Sequence, residues 1–156
     1  MKHLKRAVVF ACLAAAACLL SQGVLAQADP RIGTWKLDVA KSTFQQGQAP
    51  GSETRTYRAA DGGALQMESD AVLPSGTKQP AGYRAKSDGK DYPYSGSAGD
   101  SIAITGGGST WEATIKLRGK LAQTAHVEIS KDGKTMTLIA KTASGRPVST
   151  RIYIKQ

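Results

Sequence analysis

Apolar and polar residues alternate along most of the chain after residue 30, and this is the period of a β-strand with one buried face. Residues 110–117 show the pattern clearly, because Trp111, Ala113 and Ile115 are separated by glutamate and threonine. No segment of this region keeps the helical period of about 3.6 residues over more than two turns. The pattern predicts about ten strands, near residues 33–39, 52–60, 64–73, 77–86, 91–95, 101–105, 109–117, 121–130, 135–143 and 147–155.

Short turn signals separate these strands. Asp61-Gly62-Gly63, Asp88-Gly89 and Asp132-Gly133 supply the positive φ angles that tight hairpins require. Such connections make sequential strands antiparallel neighbours, and closing the meander removes its two unpaired edges. We therefore predict an all-β fold, an antiparallel up-and-down β-barrel of about 8–10 strands, in a single domain over residues 29–156. The Gln-, Gly- and Pro-rich gap from Ala40 to Gly51 is predicted to be a lid loop or a simple crossover.

The start of the chain has the pattern of a cleavable export signal. A basic hexapeptide precedes an apolar run of fourteen residues, Ala7 to Leu20. A membrane-spanning helix needs about 20 such residues, so this run is too short to remain as an anchor. Small residues fit cleavage after Ala28, with cleavage after Ala26 as the alternative. A lipoprotein anchored through Cys18 is disfavoured, because leucines rather than polar residues follow it. The predicted location is periplasmic or secreted, from a bacterial cell.

The net charge and the cysteine content limit the kinds of partner that the domain is predicted to bind. Loss of residues 1–28 lowers the formal net charge from +9 to +6 and removes both cysteines. The domain then has no thiol and a single histidine, so it cannot form the usual cysteine and histidine zinc site within one chain. Its basic residues are scattered, and no aromatic residues alternate with them as a nucleic-acid platform requires. We predict no metal, no cofactor, no nucleic-acid partner and no transmembrane segment after processing.

The residues able to perform catalysis lie on the polar strand faces. His126 alternates with Ala125 and Val127, so it is predicted to face solvent, where a dry serine-triad site is hard to form. Glu68 and Asp70 share the wet face of their strand, and the remaining turn aspartates are explained by their turns. The glycine triplet at 106–108 lacks the following Lys-Ser/Thr and helix of a phosphate loop. We therefore predict no catalytic residue and no enzyme activity.

The side chains predicted to point into the barrel are mostly small, and some of them are polar. The interior receives alanines and a few polar residues, namely Ala71, Ala81, Ala85, Ala113, Ala125, Ala140, Ser69, Gln79, Tyr83 and Gln123. Small side chains leave space, and polar groups among apolar ones are typical of a ligand cavity. A filled, tapering barrel with buried water is the alternative. The predicted ligand-binding residues are Tyr57, Gln79, Tyr83, Trp111 and Gln123.

Gly33-Thr34-Trp35 opens the first predicted strand, and Arg151 lies in the last one. This arrangement resembles the lipocalins and the broader calycin group, in which a Gly-x-Trp near the start packs under a basic residue from the end of the barrel. The resemblance implies that Arg151 covers Trp35 and closes the barrel floor. Such a cation–π contact contributes about 0.5–2 kcal/mol.

Four segments carry a second resemblance: GTWKLDVAKS at 33–42, DGKDYP at 88–93, SKDGKTMT at 130–137 and the terminal Lys155-Gln156. Through them the chain resembles a family of uncharacterised secreted bacterial proteins. The resemblance supports the domain assignment and implies no catalytic residue.

The leading hypothesis is an exported barrel that binds a small, partly apolar molecule in its interior. The alternative is an envelope interaction protein whose basic outer surface contacts an anionic glycan, lipid or protein. That alternative requires one shared face for Lys78, Arg84, Lys86, Lys116, Arg118 and Lys120. An enzyme on the same barrel would require a carboxylate or tyrosine with a displaced pKa inside the cavity. No spacing in the sequence indicates one.

Overall fold

Ten antiparallel strands form one closed barrel in the computed structural model, which describes residues 28–45 and 49–156. The strands are β1 (Gly33–Phe44), β2 (Ser52–Ala60), β3 (Ala64–Val72), β4 (Lys78–Ala85), β5 (Asp91–Ser95), β6 (Ser101–Gly107), β7 (Thr110–Leu117), β8 (Lys120–Ile129), β9 (Thr135–Thr142) and β10 (Pro147–Lys155). Each strand pairs with its neighbours in sequence, and β1 pairs with β10. The predicted all-β up-and-down barrel is confirmed, with ten strands. The predicted export signal and Cys18 lie outside the described residues.

Strand alternation decides which side chains enter the barrel. Along β7 and β8, Trp111, Ala113, Ala125 and Val127 are buried, and His126 between them lies on the outer face beside Glu112. The buried apolar residues form one core cluster inside the barrel, with members in every strand except β5. Among the described residues, no helix has the length and hydrophobicity needed to span a bilayer.

The first strand continues further than the sequence indicated. β1 extends through Phe44, so the prediction of an irregular segment from Ala40 to Gly51 was wrong for its first half. The pairing of β1 with β10 shifts register between Asp38 and Thr43. Ser42 fills the irregularity, because its hydroxyl donates to the Asp38 carbonyl at 2.6 Å and accepts from the Ile152 amide at 2.9 Å. This side chain replaces ladder bonds that the alternation pattern cannot account for.

The barrel has two different ends. The connections β1–β2, β3–β4, β5–β6, β7–β8 and β9–β10 lie at one end, which we call the open end. The remaining turns and the segment 29–32 lie at the other, the closed end. Arg31 is 9% exposed there, donates to Asp29 Oδ2 at 2.6 Å, and lies over the Trp111 ring at 5.7 Å from the ring centroid. The charged segment 29–32 therefore covers the closed end of the barrel.

The cation that covers Trp35 is Lys155, so the predicted contact with Arg151 was wrong. Lys155 Nζ lies 4.9 Å from the centroid of the Trp35 ring and donates to the Pro30 carbonyl at 3.0 Å. Trp35 lies opposite Lys155 in the β1–β10 ladder, whereas Arg151 is four residues closer to the open end. Gly33 has a φ of +132°, and a Cβ there would lie 2.9 Å from Lys155 Cε. The glycine of the Gly-x-Trp motif thus leaves room for the lysine.

The basic residues do not share one face. Arg84 and Lys86 lie towards the closed end of β4, whereas Lys78, Lys116, Arg118 and Lys120 lie at or near the open end. The single basic face required by the envelope interaction hypothesis is therefore absent from the described residues. Four of the six residues nevertheless collect at one end of the barrel.

Candidate ligand-binding cavity

A cavity of about 590 Å³ lies inside the barrel, towards its open end. This volume is within the range of about 300–1,000 Å³ that small-molecule sites occupy. The exposed residues among those lining the cavity are Gln79, Pro80 and Ser97, and all three lie near the open end. The cavity therefore reaches solvent there.

The mouth forms where β4 and β5 are poorly paired. Their ladder holds two residue pairs, Gly82 with Ser95 and Tyr83 with Tyr94. The first half of β4 thus has no partner on its β5 side within the described residues. Pro80 lies in this half and has no N–H to contribute to a ladder, so its position matches a strand edge. The gap lies between β4 and the β5–β6 connection.

Space inside the barrel comes from a row of alanines on three neighbouring strands. Ala113 of β7 faces Ala125 of β8, and Ala125 faces Ala140 of β9. All three are buried and line the cavity. A methyl group at each of these adjacent positions fills too little volume to close the barrel interior. The small side chains that were predicted to face inward therefore leave a cavity rather than a filled core.

Aromatic side chains form the part of the cavity wall that is nearer to the closed end. Tyr57 and Trp111 meet edge to face, with ring centroids 6.2 Å apart and an interplanar angle of 78°. Tyr83 is 8% exposed beside them. Burial raises the pKa of the Tyr83 hydroxyl well above its usual value, and the neighbouring Tyr57 adds to the shift. The Tyr83 hydroxyl therefore stays neutral at physiological pH and can form a hydrogen bond inside the cavity.

All five residues predicted to bind a ligand line this cavity. Tyr57, Tyr83 and Trp111 are buried in its wall, Gln123 is partly buried, and Gln79 is at the mouth. The inward direction was therefore assigned correctly at these positions of β2, β4, β7 and β8. Ligand binding by these residues remains a prediction.

The sequence analysis missed a charged cluster in the cavity wall. Glu53 is 2% exposed, yet it is the second residue of β2 from the open end. Its Oε1 accepts from Arg55 Nε at 2.7 Å and from the Ser69 hydroxyl at 2.8 Å, and its Oε2 accepts from Arg151 Nη1 at 2.9 Å. All four residues line the cavity. A carboxylate with three charged or polar donors is fully satisfied in this position.

The electrostatics of the cluster keep the Glu53 carboxylate ionised at neutral pH. Burial alone would raise the pKa of Glu53, but Arg55 and then Arg151 outweigh it and lower the pKa to about 2. A general base works best with a pKa near the operating pH, so this carboxylate is a poor proton acceptor at neutral pH. The arrangement is therefore suited to holding charge in place rather than to proton transfer.

The cluster retains donors that can face a ligand. Two arginines surround one carboxylate, which leaves the cluster with a net positive charge. Within the described residues, the hydrogen bonds of Arg55 use its Nε only. The Arg55 guanidinium also lies over the Tyr153 ring, 5.1 Å from its centroid. The Tyr153 hydroxyl is buried and has no hydrogen-bond partner among these residues.

The alternation of side chains along β2 and β10 could have shown that the missed residues face the interior. Glu53 and Arg55 are two and four positions before Tyr57 in β2, and so they project to the same side. Ser149 and Tyr153, both buried, flank Arg151 with the same spacing in β10. Extending the assignment of Tyr57 along its own strand would have placed both charges inside.

Known proteins resemble this chain in structure only. No protein-family model matches it, and no curated protein matches it. The fluorescent protein UnaG is 17% identical, with a TM-score of 0.57 over 80% of this chain and 96% of that chain. The zebrafish ileal bile acid-binding protein, solved with cholic acid, is 11% identical, with a TM-score of 0.50 over 81% of this chain and 99% of that chain. At these identities, the similarities show the β-barrel fold alone.

Proposed function

We propose that the barrel binds a small amphipathic molecule with one anionic group in its interior. The observation that carries this proposal is the cavity of about 590 Å³, whose wall is partly polar and partly apolar and holds two arginines against a single glutamate. Burying a charge is unfavourable unless a partner compensates it. An anionic group on the ligand would supply the missing negative charge.

The two parts of the cavity match the two parts of such a molecule. Arg55 and Arg151 lie on the β2 and β10 wall and would hold the anionic group. Tyr57, Tyr83 and Trp111 would pack against its apolar body, with the alanine row leaving the necessary space. Gln79 and Gln123 would contact the part nearest the mouth. The likeness to the zebrafish bile acid-binding protein supports this proposal, because that protein has a similar fold and was solved in complex with cholic acid.

We also infer that the protein acts outside the cytoplasm, in the periplasm or as a secreted protein. The basis is the predicted export signal at residues 1–28. Fractionation of cells that express the full chain, with mass measurement of the exported form, tests this inference and identifies the cleavage site.

A titration monitored by tryptophan fluorescence tests the binding proposal. Residues 29–156 contain the whole closed barrel, and Trp111 lies in the cavity wall. Cholate and a long-chain fatty acid are compared with the matching uncharged alcohols. The expected result is that the anions bind at least tenfold more tightly and that Arg151→Gln removes this preference. Arg58→Gln is the control, since Arg58 is exposed on the outer face of β2. Equal binding of anions and alcohols would refute the assigned role of the arginines.

A further inference from the structure

The turn between β7 and β8 presents two exposed leucines at the open end. Leu117 is 52% exposed and Leu121 is 44% exposed, and they flank the two-residue turn Arg118-Gly119. Among the described residues, Val39 is the other large hydrophobic side chain with comparable exposure, at 36%. Isolated exposed apolar residues are common on proteins. Two of them on one projecting turn, next to cations and a cavity mouth, form a more specific feature.

Charge is distributed unequally between the two ends. We define the open rim as Leu73–Lys78, Gly96–Asp100, Leu117–Leu121 and Thr142–Pro147. Its charged residues are four basic and one acidic, Lys78, Arg118, Lys120, Arg146 and Asp100. Counted in the same way, with the first or last residue of each adjoining strand, the closed end has six basic and five acidic residues, Arg31, Lys86, Lys90, Lys131, Lys134, Lys155, Asp29, Asp61, Asp88, Asp91 and Asp132. The positive charge of the rim is therefore uncompensated, whereas that of the closed end is nearly balanced.

The turn is fixed to the mouth of the cavity. The Asp100 amide donates to the Lys116 carbonyl at 2.8 Å, and Asp100 Oδ2 accepts from the Arg118 amide at 2.8 Å. These bonds connect the β7–β8 turn to the β5–β6 connection, which contributes Ser97 and Ala98 to the cavity lining. A surface that binds the β7–β8 turn therefore lies directly beside the mouth of the cavity.

We propose that the open rim docks on the surface of an anionic lipid bilayer, with Leu117 and Leu121 entering the interfacial layer and the four rim cations contacting headgroups. Basic residues near an anionic bilayer and apolar side chains at its interface contribute to peripheral binding together. The docking does not depend on a bound ligand. It extends the proposed function only in placing the cavity mouth where an amphipathic molecule can pass between bilayer and barrel.

Flotation with vesicles measures this docking directly. Residues 29–156 are mixed at low salt with vesicles of phosphatidylcholine alone or with about one third phosphatidylglycerol. Binding is expected to the anionic vesicles only. Each basic residue removed weakens binding about fivefold, so Arg118→Gln with Lys120→Gln should weaken it roughly 30-fold. The matched control is Lys131→Gln with Lys134→Gln, which makes the same charge change at the closed end and should weaken binding less than threefold.

The leucines separate a lipid surface from other anionic partners. Leu117→Ser with Leu121→Ser leaves the charge unchanged and should weaken vesicle binding at least tenfold. A soluble anionic glycan would need the cations and not the leucines, so unchanged vesicle binding by this variant would overturn the proposal. Equal losses for the rim and closed-end charge variants would overturn it as well, since binding would then follow net charge alone.

A position-specific probe provides an independent measurement. Residues 29–156 contain no cysteine, so Leu121→Cys and Lys131→Cys each accept one environment-sensitive NBD label. Anionic vesicles should shift the emission of the label at 121 to the blue and leave that at 131 unchanged; the reverse would refute docking through the rim. The same variants are titrated with cholate in solution, where binding should be unaltered because residues 117–121 do not line the cavity. Loss of vesicle binding and loss of ligand binding are therefore distinguishable.

Discussion

The Glu53→Gln variant keeps the size of the side chain and removes its charge, so it isolates what the buried carboxylate contributes. The pKa of Glu53 falls from 4.5 to about 2 in the folded protein. Each pKa unit corresponds to about 1.36 kcal/mol. The charged form is therefore stabilised by about 3 kcal/mol relative to the neutral form. Glutamine resembles the neutral form, and the variant should lose about this much stability at pH 7.

Such a loss is large enough to measure and small enough to leave the protein folded. Domains of this size are stable by about 5–15 kcal/mol, and a loss of about 3 kcal/mol lowers Tm by about 10 °C. Urea unfolding of residues 29–156, followed by tryptophan fluorescence, gives the difference directly. Glu68→Gln is the control, because Glu68 forms its ion pair with Arg58 on the exposed face and should leave stability nearly unchanged.

The pH dependence provides a second measurement with a definite sign. The pKa of Glu53 is lower in the folded protein than in the unfolded chain, so its contribution is complete above about pH 4.5. It is lost as the pH falls towards 2, since both states then bind the proton. The stability difference between the native protein and Glu53→Gln should therefore be full at pH 7 and shrink progressively below pH 4.5. A difference that stays constant from pH 7 to pH 3 would refute this electrostatic account.

Ligand affinity should change in the opposite direction. Without Glu53, the two arginines give the cavity one more unit of positive charge. A charge about 6 Å from the ligand's anionic group contributes about 3 kcal/mol at an effective dielectric constant of about 20. Glu53→Gln should therefore bind an anionic amphiphile at least tenfold more tightly while being less stable. A parallel loss of stability and affinity would show that the carboxylate positions the arginines instead of competing for them.

Further variants test the cavity, the floor and the mouth separately. Ala125→Leu fills the centre of the alanine row and should abolish ligand binding without lowering Tm, as seen by fluorescence titration and thermal unfolding. Lys155→Ala removes the cation over Trp35 and should lower stability by about 1–2 kcal/mol in urea unfolding, with no effect on ligand affinity. Gly99→Ala would place a Cβ 2.3 Å from the Lys116 carbonyl oxygen, so it should displace the β5–β6 connection and change ligand association rates in stopped-flow measurements.

The barrel was predictable because its information is local. Turn residues with positive φ, such as Gly89 and Gly133, mark hairpins within a few positions, and alternation assigns the faces of each strand between them. Closure followed from the need to pair both edges. The identity of the cation over Trp35 depended instead on the register between β1 and β10, whose partners are separated by the whole barrel. Alternation does not determine register between distant strands, so Arg151 was assigned where Lys155 lies.

The charged cluster was missed for a related reason. Near the open end of β2 the residues on both faces are polar, since Glu53 and Arg55 alternate with Thr54 and Thr56, so only the inward assignment of Tyr57 indicates a direction. The partner that most clearly requires an inward Glu53 is Arg151, 98 positions away. Buried ion pairs of this kind seldom stabilise a protein more than apolar residues of similar volume would. A barrel selected only for stability would have no need of them, and their presence in the cavity wall therefore supports a charged ligand.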